Sequence, residues 1–301
     1  MEIEKEIAEF VDTIKKDPFK CYFQNKGNEK VKWEEDKVYV DALYQGYLDA
    51  CRTFKWEKDG KDNKKYIRGI FEEKEIVGDM KNYLSVGKIE SFDEIHKKIC
   101  VNLIEKCEER ISMTYGQAQK IINMAFKYLY CCRHDSAMEE RFKACHMPLD
   151  SFSLEWFKRK FWEDDFTNFE RYSENHKKLP ENLFTQKGEK KKLKAESMGS
   201  WSSMQTWEEG CEKQEYPYEF YAYVIKKYCD ERSITPLQLD FIVWSKIQKI
   251  MAAESFIKTF KDDDEEDKKE KKSEKSEAYD INNLKNTLEN RLIKIRPLIC
   301  K

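Results

Sequence analysis

The apolar positions of this chain recur mostly at three- and four-residue intervals, the period of an amphipathic helix. Ile3, Ile7, Phe10, Val11 and Ile14 mark a helix near the start, and Val40, Leu43, Tyr47, Cys51 and Phe54 mark a second. Ser91-Phe-Asp-Glu94 has the form of a capping box, with serine at N-cap and an acid at N3. It launches a helix through Ile95, Ile99, Leu103 and Cys107. Thr114-Tyr-Gly-Gln117 is a second box, heading a helix that runs to about Cys131, and Ser136-Ala-Met-Glu139 heads a short one. Thr235-Pro-Leu-Gln238 joins an N-cap threonine to a proline at N1, and its helix continues through Phe241, Trp244 and Ile247. A last amphipathic stretch passes Ile281, Leu284, Leu288 and Leu292 and stops before Pro297.

Strand-like alternation is scarce. The Asp59-Gly60 turn signal allows one short hairpin between Phe54 and Ile67. These signals predict a mostly α, multi-helix globular fold with a long irregular loop region. They divide the chain into an N-terminal helical region at 1–90, a helical core at 91–163, an irregular aromatic-rich stretch at 164–216, and C-terminal helices at 217–301. The highly charged insert at 261–278 is expected to be disordered.

Composition narrows the picture. Charged residues make up 38% of the 301 and the hydrophobic set 40%, and no apolar run approaches the roughly 20 residues of a membrane helix. Met1-Glu-Ile-Glu-Lys-Glu lacks the basic-then-apolar pattern of an export signal, so a cytoplasmic protein is expected. The ten cysteines form no CxxC pair and fall on helical segments, which favours reduced thiols. Cys131, Cys132, His134, Cys145 and His146 do not have the spacing of a zinc site, because adjacent cysteines point apart on a helix. The sequence also lacks glycine-rich phosphate loops, a Gly-x-Ser-x-Gly elbow and a His-Glu-x-x-His pair. No metal and no small-molecule cofactor is therefore implied. The net charge of −2 gives no global attraction to nucleic acid, although Lys187, Lys190, Lys191, Lys192 and Lys194 form a local basic cluster.

The chemistry concentrates on the helix from Tyr115. Ala118, Ile121, Ile122, Ala125, Leu129 and Cys132 form its packing stripe. Gly116, Lys120, Asn123 and Lys127 form a second stripe, with the two lysines about two turns apart. Gly116 near the N-terminus would let another backbone approach, and the first amides there would be open to a phosphate. Downstream, Pro148 excludes helix just before it, and Phe152, Trp156, Phe157 and Lys160 resume helical spacing. Asp150 is thus expected to be an N-cap.

A lysine-bearing helix followed by an aspartate-capped helix resembles the helix-hairpin-helix DNA glycosylases. Gly116-Gln-Ala-Gln-Lys120 is similar to the Gly-x-x-x-Lys part of that family's hairpin, and Pro148-Leu-Asp150 stands where the family has its Val-Asp. Met113-Thr-Tyr-Gly116-Gln departs from the family's Leu-Pro-Gly-x-Gly. Lys120-Ile-Ile-Asn-Met-Ala-Phe-Lys127 resembles the lysine helix of the archaeal 8-oxoguanine glycosylase branch, where the second lysine matches the nucleophile. The Gly-Gln-Ala-Gln-Lys, Lys-Tyr-Leu and Pro-Leu-Asp-Ser elements also resemble a family of uncharacterised bacterial proteins. The resemblance implies a DNA glycosylase, with or without lyase activity, that removes a damaged or modified base from a flipped-out nucleotide. It implies Lys120 or Lys127 as nucleophile and Asp150 as its catalytic partner. It implies DNA contacts from Gly116, Gln117, Gln119 and Asn123, and a base pocket including His146, Trp201 and Trp207. DNA repair and phage defence would use the same chemistry. The other reading of these residues is a non-catalytic helical protein that binds DNA or a partner protein through the lysine face.

Overall fold

Helices account for most of the computed structural model, which describes residues 2–13, 33, 35–57, 62–85, 91–132, 136–163, 184–187, 190–193, 198–206 and 216–267. The order is α1 (Glu2–Thr13), α2 (Asp36–Ala50), α3 (Asn63–Glu72), α4 (Lys74–Leu84), α5 (Phe92–Cys107), α6 (Tyr115–Cys131), α7 (Ser136–Phe142) and α8 (Ser151–Lys158). A two-stranded antiparallel hairpin follows, β1 (Phe184–Lys187) with β2 (Lys190–Leu193), then α9 (Tyr218–Asp230) and α10 (Pro236–Asp267). Among the described residues, no helix is long and apolar enough to cross a membrane.

Helix α6 is the axis of the fold. Every residue from Tyr115 to Tyr130 is buried, the polar ones included. Helix α2 packs along one side of it, and α5 along another. The α2 crossing is close because Gly46 has no side chain there: a Cβ would fall 2.4 Å from the Ile121 carbonyl oxygen. Buried apolar side chains form one cluster reaching from Ile7 to Ile247, so α1 and α10 share a core with the middle of the chain. Arg159, just past α8, forks onto Glu254 of α10 with two hydrogen bonds of 3.0 and 2.8 Å.

Three elements depart from the sequence pattern, the first being the β1–β2 hairpin, which forms inside the stretch expected to be irregular. Among the described residues of 54–67 there is no hairpin: an isolated bridge joins Trp56 to Ile111, and the chain is already helical from Asn63. Ile67, Ile70 and Phe71 are buried at helical spacing, and that apolar stripe outweighs the turn signal. Helix α10 continues through Asp267 into the segment expected to be disordered. Residues 268–278, and the amphipathic stretch from Ile281, lie outside the described residues.

Candidate active site

Thr114 fixes the start of α6. Its hydroxyl accepts from the Gln117 amide at 3.2 Å, and the Gln117 side chain accepts from the Thr114 amide at 3.0 Å. A short turn, Trp201–Ser203, lies over this end. Thr114 Oγ1 donates to the Ser202 carbonyl at 2.6 Å, and the Gly116 amide donates to the Met204 carbonyl at 2.8 Å. A Cβ on Gly116 would meet the Trp201 carbonyl oxygen at 1.9 Å. Glycine does admit a second backbone, as its position predicts. Two of the amides expected to be open to phosphate are instead taken, Gly116 by the turn and Gln117 by the capping box.

Asp150 caps α8. Its Oδ1 accepts from the Phe152 and Ser153 amides at 2.9 and 3.0 Å, while Ser153 Oγ returns a bond to the Asp150 amide at 2.6 Å. Oδ2 is left for Lys120, whose Nζ lies 3.4 Å away. The Trp201 ring covers the same ammonium, 4.6 Å from Nζ to its centroid. The lysine and aspartate side chains are 9% and 13% exposed, so the pair is sheltered but not sealed. Three residues far apart in sequence, Lys120, Asp150 and Trp201, thus converge at one place.

Lys127 is built differently. Its Nζ lies 2.6 Å from Asp240 Oδ2, and the two side chains are only 1% and 5% exposed. Phe10, Phe241 and Trp244 enclose the ammonium, with centroids at 3.9, 4.6 and 5.7 Å. Burial pushes the Asp240 carboxyl up against the opposing pull of the Lys127 ammonium, and the Asp150 carboxylate adds to the push. The two pairs therefore feel one another, but nothing reaches Lys127 without displacing an aromatic wall.

The remaining expected site residues serve the interior. Gly116, Gln117, Gln119 and Asn123 are buried, so this face is not a DNA-contacting surface as it stands. Gln117 donates to the Thr53 carbonyl at 2.8 Å. Gln119 pairs with both backbone groups of Leu149: Nε2 donates to the carbonyl at 2.9 Å, and Oε1 accepts from the amide at 3.2 Å. Asn123 donates to Gln119 Oε1 at 3.0 Å and to the Tyr218 hydroxyl at 2.9 Å. His146 does not line the Lys120–Asp150 site. Its Nδ1 is 2.8 Å from the Tyr218 hydroxyl, and its Nε2 is 2.7 Å from Asp93. That hydrogen bond from His146 holds the Asp93 carboxyl below the usual carboxylate range. His96 stacks on Tyr218, rings 5.1 Å apart, and complete burial keeps its imidazole neutral well below the usual histidine range. Trp207 lies outside the described residues.

Sequence reasoning missed Asp240, Tyr218, His96 and Asp93. Asp240 had a readable signal, an acid between Leu239 and Phe241 and one turn from Leu237 and Val243, all of them buried. The aromatic and imidazole cluster had none, because α5, α6 and α9 supply it separately. Among the described residues, no group of three histidine, cysteine or acidic side chains is arranged to hold a metal ion. No family model, no curated protein and no solved structure matches the chain.

Proposed function

We propose that the chain is a DNA glycosylase with lyase capability, in which Lys120 is the amine nucleophile and Asp150 its acid–base partner. One observation carries the reading: Lys120 Nζ faces Asp150 Oδ2 at 3.4 Å, while the other carboxylate oxygen is committed to capping α8. A capped carboxylate has a fixed direction, and a fixed acid–base group beside an amine is the minimum for nucleophilic attack by lysine.

In this reading a base is turned out of the duplex towards Trp201, whose ring offers a stacking surface beside the amine. Lysine attacks in its neutral form, with Asp150 as the proton acceptor. The amine nitrogen bonds to the sugar C1′, and the glycosidic bond breaks with its electron pair passing to the departing base, which takes up a proton. Ring opening at C1′ then gives a Schiff base. Loss of the C2′ proton expels the 3′ phosphate and cuts the strand. Entry of a nucleotide requires the Trp201–Ser203 turn to withdraw from Gly116. The non-catalytic alternative relies on an exposed lysine face, and the burial of Gln119, Asn123 and Lys127 weighs against it.

The test is incubation with duplexes carrying damaged or modified bases, followed by borohydride. A covalent protein–DNA adduct is expected, absent in Lys120→Gln. Asp150→Asn should slow base release by about 10²- to 10⁴-fold. Neither adduct nor abasic product from folded protein across a broad panel overturns the proposal. Abasic product without adduct keeps the glycosylase but removes the lysine from the nucleophile's role.

A further inference from the structure

Residues 145–149 cross the interior without regular secondary structure, and all of them are buried. Backbone amides and carbonyls in such a segment need partners other than a helix or sheet ladder. Two side chains of α6 supply three of them. Gln119 takes both polar groups of Leu149, and Asn123 Nδ2 reaches the Met147 carbonyl at 3.5 Å. Leu149 is the residue immediately before Asp150, and Gln119 is the residue immediately before Lys120. One helical turn therefore carries the amine and also grips the chain leading to the carboxylate.

The grip is itself held from behind. Gln119 Nε2 also donates to the Gly116 carbonyl at 2.9 Å, and its Oε1 also accepts from Asn123 at 3.0 Å. Asn123 leans on the Tyr218 hydroxyl at 2.9 Å. The Asp93 carboxylate accepts at His146 Nε2, which places the imidazole proton there. Nδ1 lies 2.8 Å from the Tyr218 hydroxyl, close enough for a hydrogen bond. The chain of contacts runs from Asp93, 75% exposed, through His146, Tyr218 and Asn123 to Gln119 at full burial.

We propose that Gln119 is a positioning residue for Asp150, acting through the Leu149 backbone, with Asn123, Tyr218 and His146 holding Gln119 in register. The catalytic consequence rests on the glycosylase reading. The mechanical claim does not.

Both parts are measurable on the full chain. The mechanical part is read without DNA, as hydrogen exchange of the Phe152 and Ser153 amides that Asp150 Oδ1 accepts. Gln119→Met keeps length and flexibility but removes the grip, and exchange at both amides should speed up about tenfold or more over wild type. Tyr218→Phe removes one hydroxyl with little change of shape and should move the same amides in the same direction by a smaller factor. It decides the matter if Gln119→Met does not fold. Exchange unchanged at both amides in a folded variant overturns the proposal, whatever the protein does to DNA.

The catalytic part is read as a cycle. Gln119→Met should slow single-turnover base release about tenfold or more with DNA affinity unchanged, yet add nothing in an Asp150→Asn background, because it acts through that carboxylate. Two effects that multiply would assign Gln119 a role independent of Asp150 and overturn the positioning claim. Faster amide exchange in a protein whose wild type releases no base leaves the grip standing and removes the glycosylase reading alone.

Discussion

Lys120 and Lys127 share a helix and a face, and each meets one aspartate and at least one aromatic ring. Their surroundings divide them. Lys120 is enclosed by a cap, a connector and a short turn, held mostly through backbone contacts with α6. Lys127 is enclosed by two full helices, α1 and α10, whose aromatic side chains close round it. A wall made of turns can shift locally, whereas a wall made of packed helices yields only with the core. Two pairs of the same composition thus differ in how far their surroundings can give, the first lying under a wall of turns and the second inside the packed core.

The sharpest way to break this contrast is Lys127→Met. Methionine fits the aromatic cage but leaves the Asp240 carboxylate without its cation, and loss of one partner from a buried pair costs about 3–5 kcal/mol. Replacing both, as Lys127→Met with Asp240→Leu, should return most of that. The sign with pH follows from the carboxyl. Asp240 already titrates high because of burial, and without Lys127 it would titrate higher. The folded variant then binds a proton that the unfolded chain does not, so the penalty shrinks towards pH 4 and is largest at neutral pH. Lys120→Met should cost less than about 2 kcal/mol, since Asp150 keeps its two amides and some contact with water. Urea midpoints compare the two, and equal losses would end the distinction.

Gly116→Ala tests the other wall. The added carbon meets backbone rather than a flexible side-chain end, so the Trp201–Ser203 turn must move, at about 1–3 kcal/mol. Exchange of the residue 116 amide, bonded to Met204 in the wild type, reports the displacement locally. The Lys127 cage should stay intact, and if its amides loosen together with those at 116, the two walls are one unit.

The smallest effect concerns the cluster behind both sites. His96 stays neutral when folded but binds a proton below about pH 6.5 when unfolded. Stability should therefore fall as pH drops from 7 to 5, by up to about 1.4 kcal/mol per pH unit for that proton. His96→Phe, which keeps the stacked ring, should flatten that slope. An unchanged slope would place the titration elsewhere.

Local signals were legible wherever residues a few positions apart decide the outcome. The Thr114 and Thr235 boxes form with both reciprocal bonds, and Asp150 caps α8. Ser91 precedes α5 as predicted, yet its side chain makes no capping bond, so composition announced the start but not the mechanism. The polar stripe of α6 was visible as a stripe and misread as a surface. Its partners, Leu149, Met204, Tyr218 and Asp240, lie in other parts of the chain, and no periodicity within α6 records them. Trp201, expected in a base pocket, lies over the Lys120 ammonium, a contact across 81 positions that no local pattern records. The difference between the surroundings of Lys120 and Lys127 needed the cage to be seen.

The cage also bears on the order of assembly. Its parts are Phe10, Lys127 and the run from Asp240 to Trp244, so it can close only after α1 and α10 have both found α6. Contacts of such wide sequence separation form late, after shorter loops have closed. During synthesis the Lys127 ammonium therefore lacks its carboxylate and two of its three rings until residues 240–244 have emerged. The cap at Asp150 and the grip at Leu149 involve only residues already made, and can be in place before then.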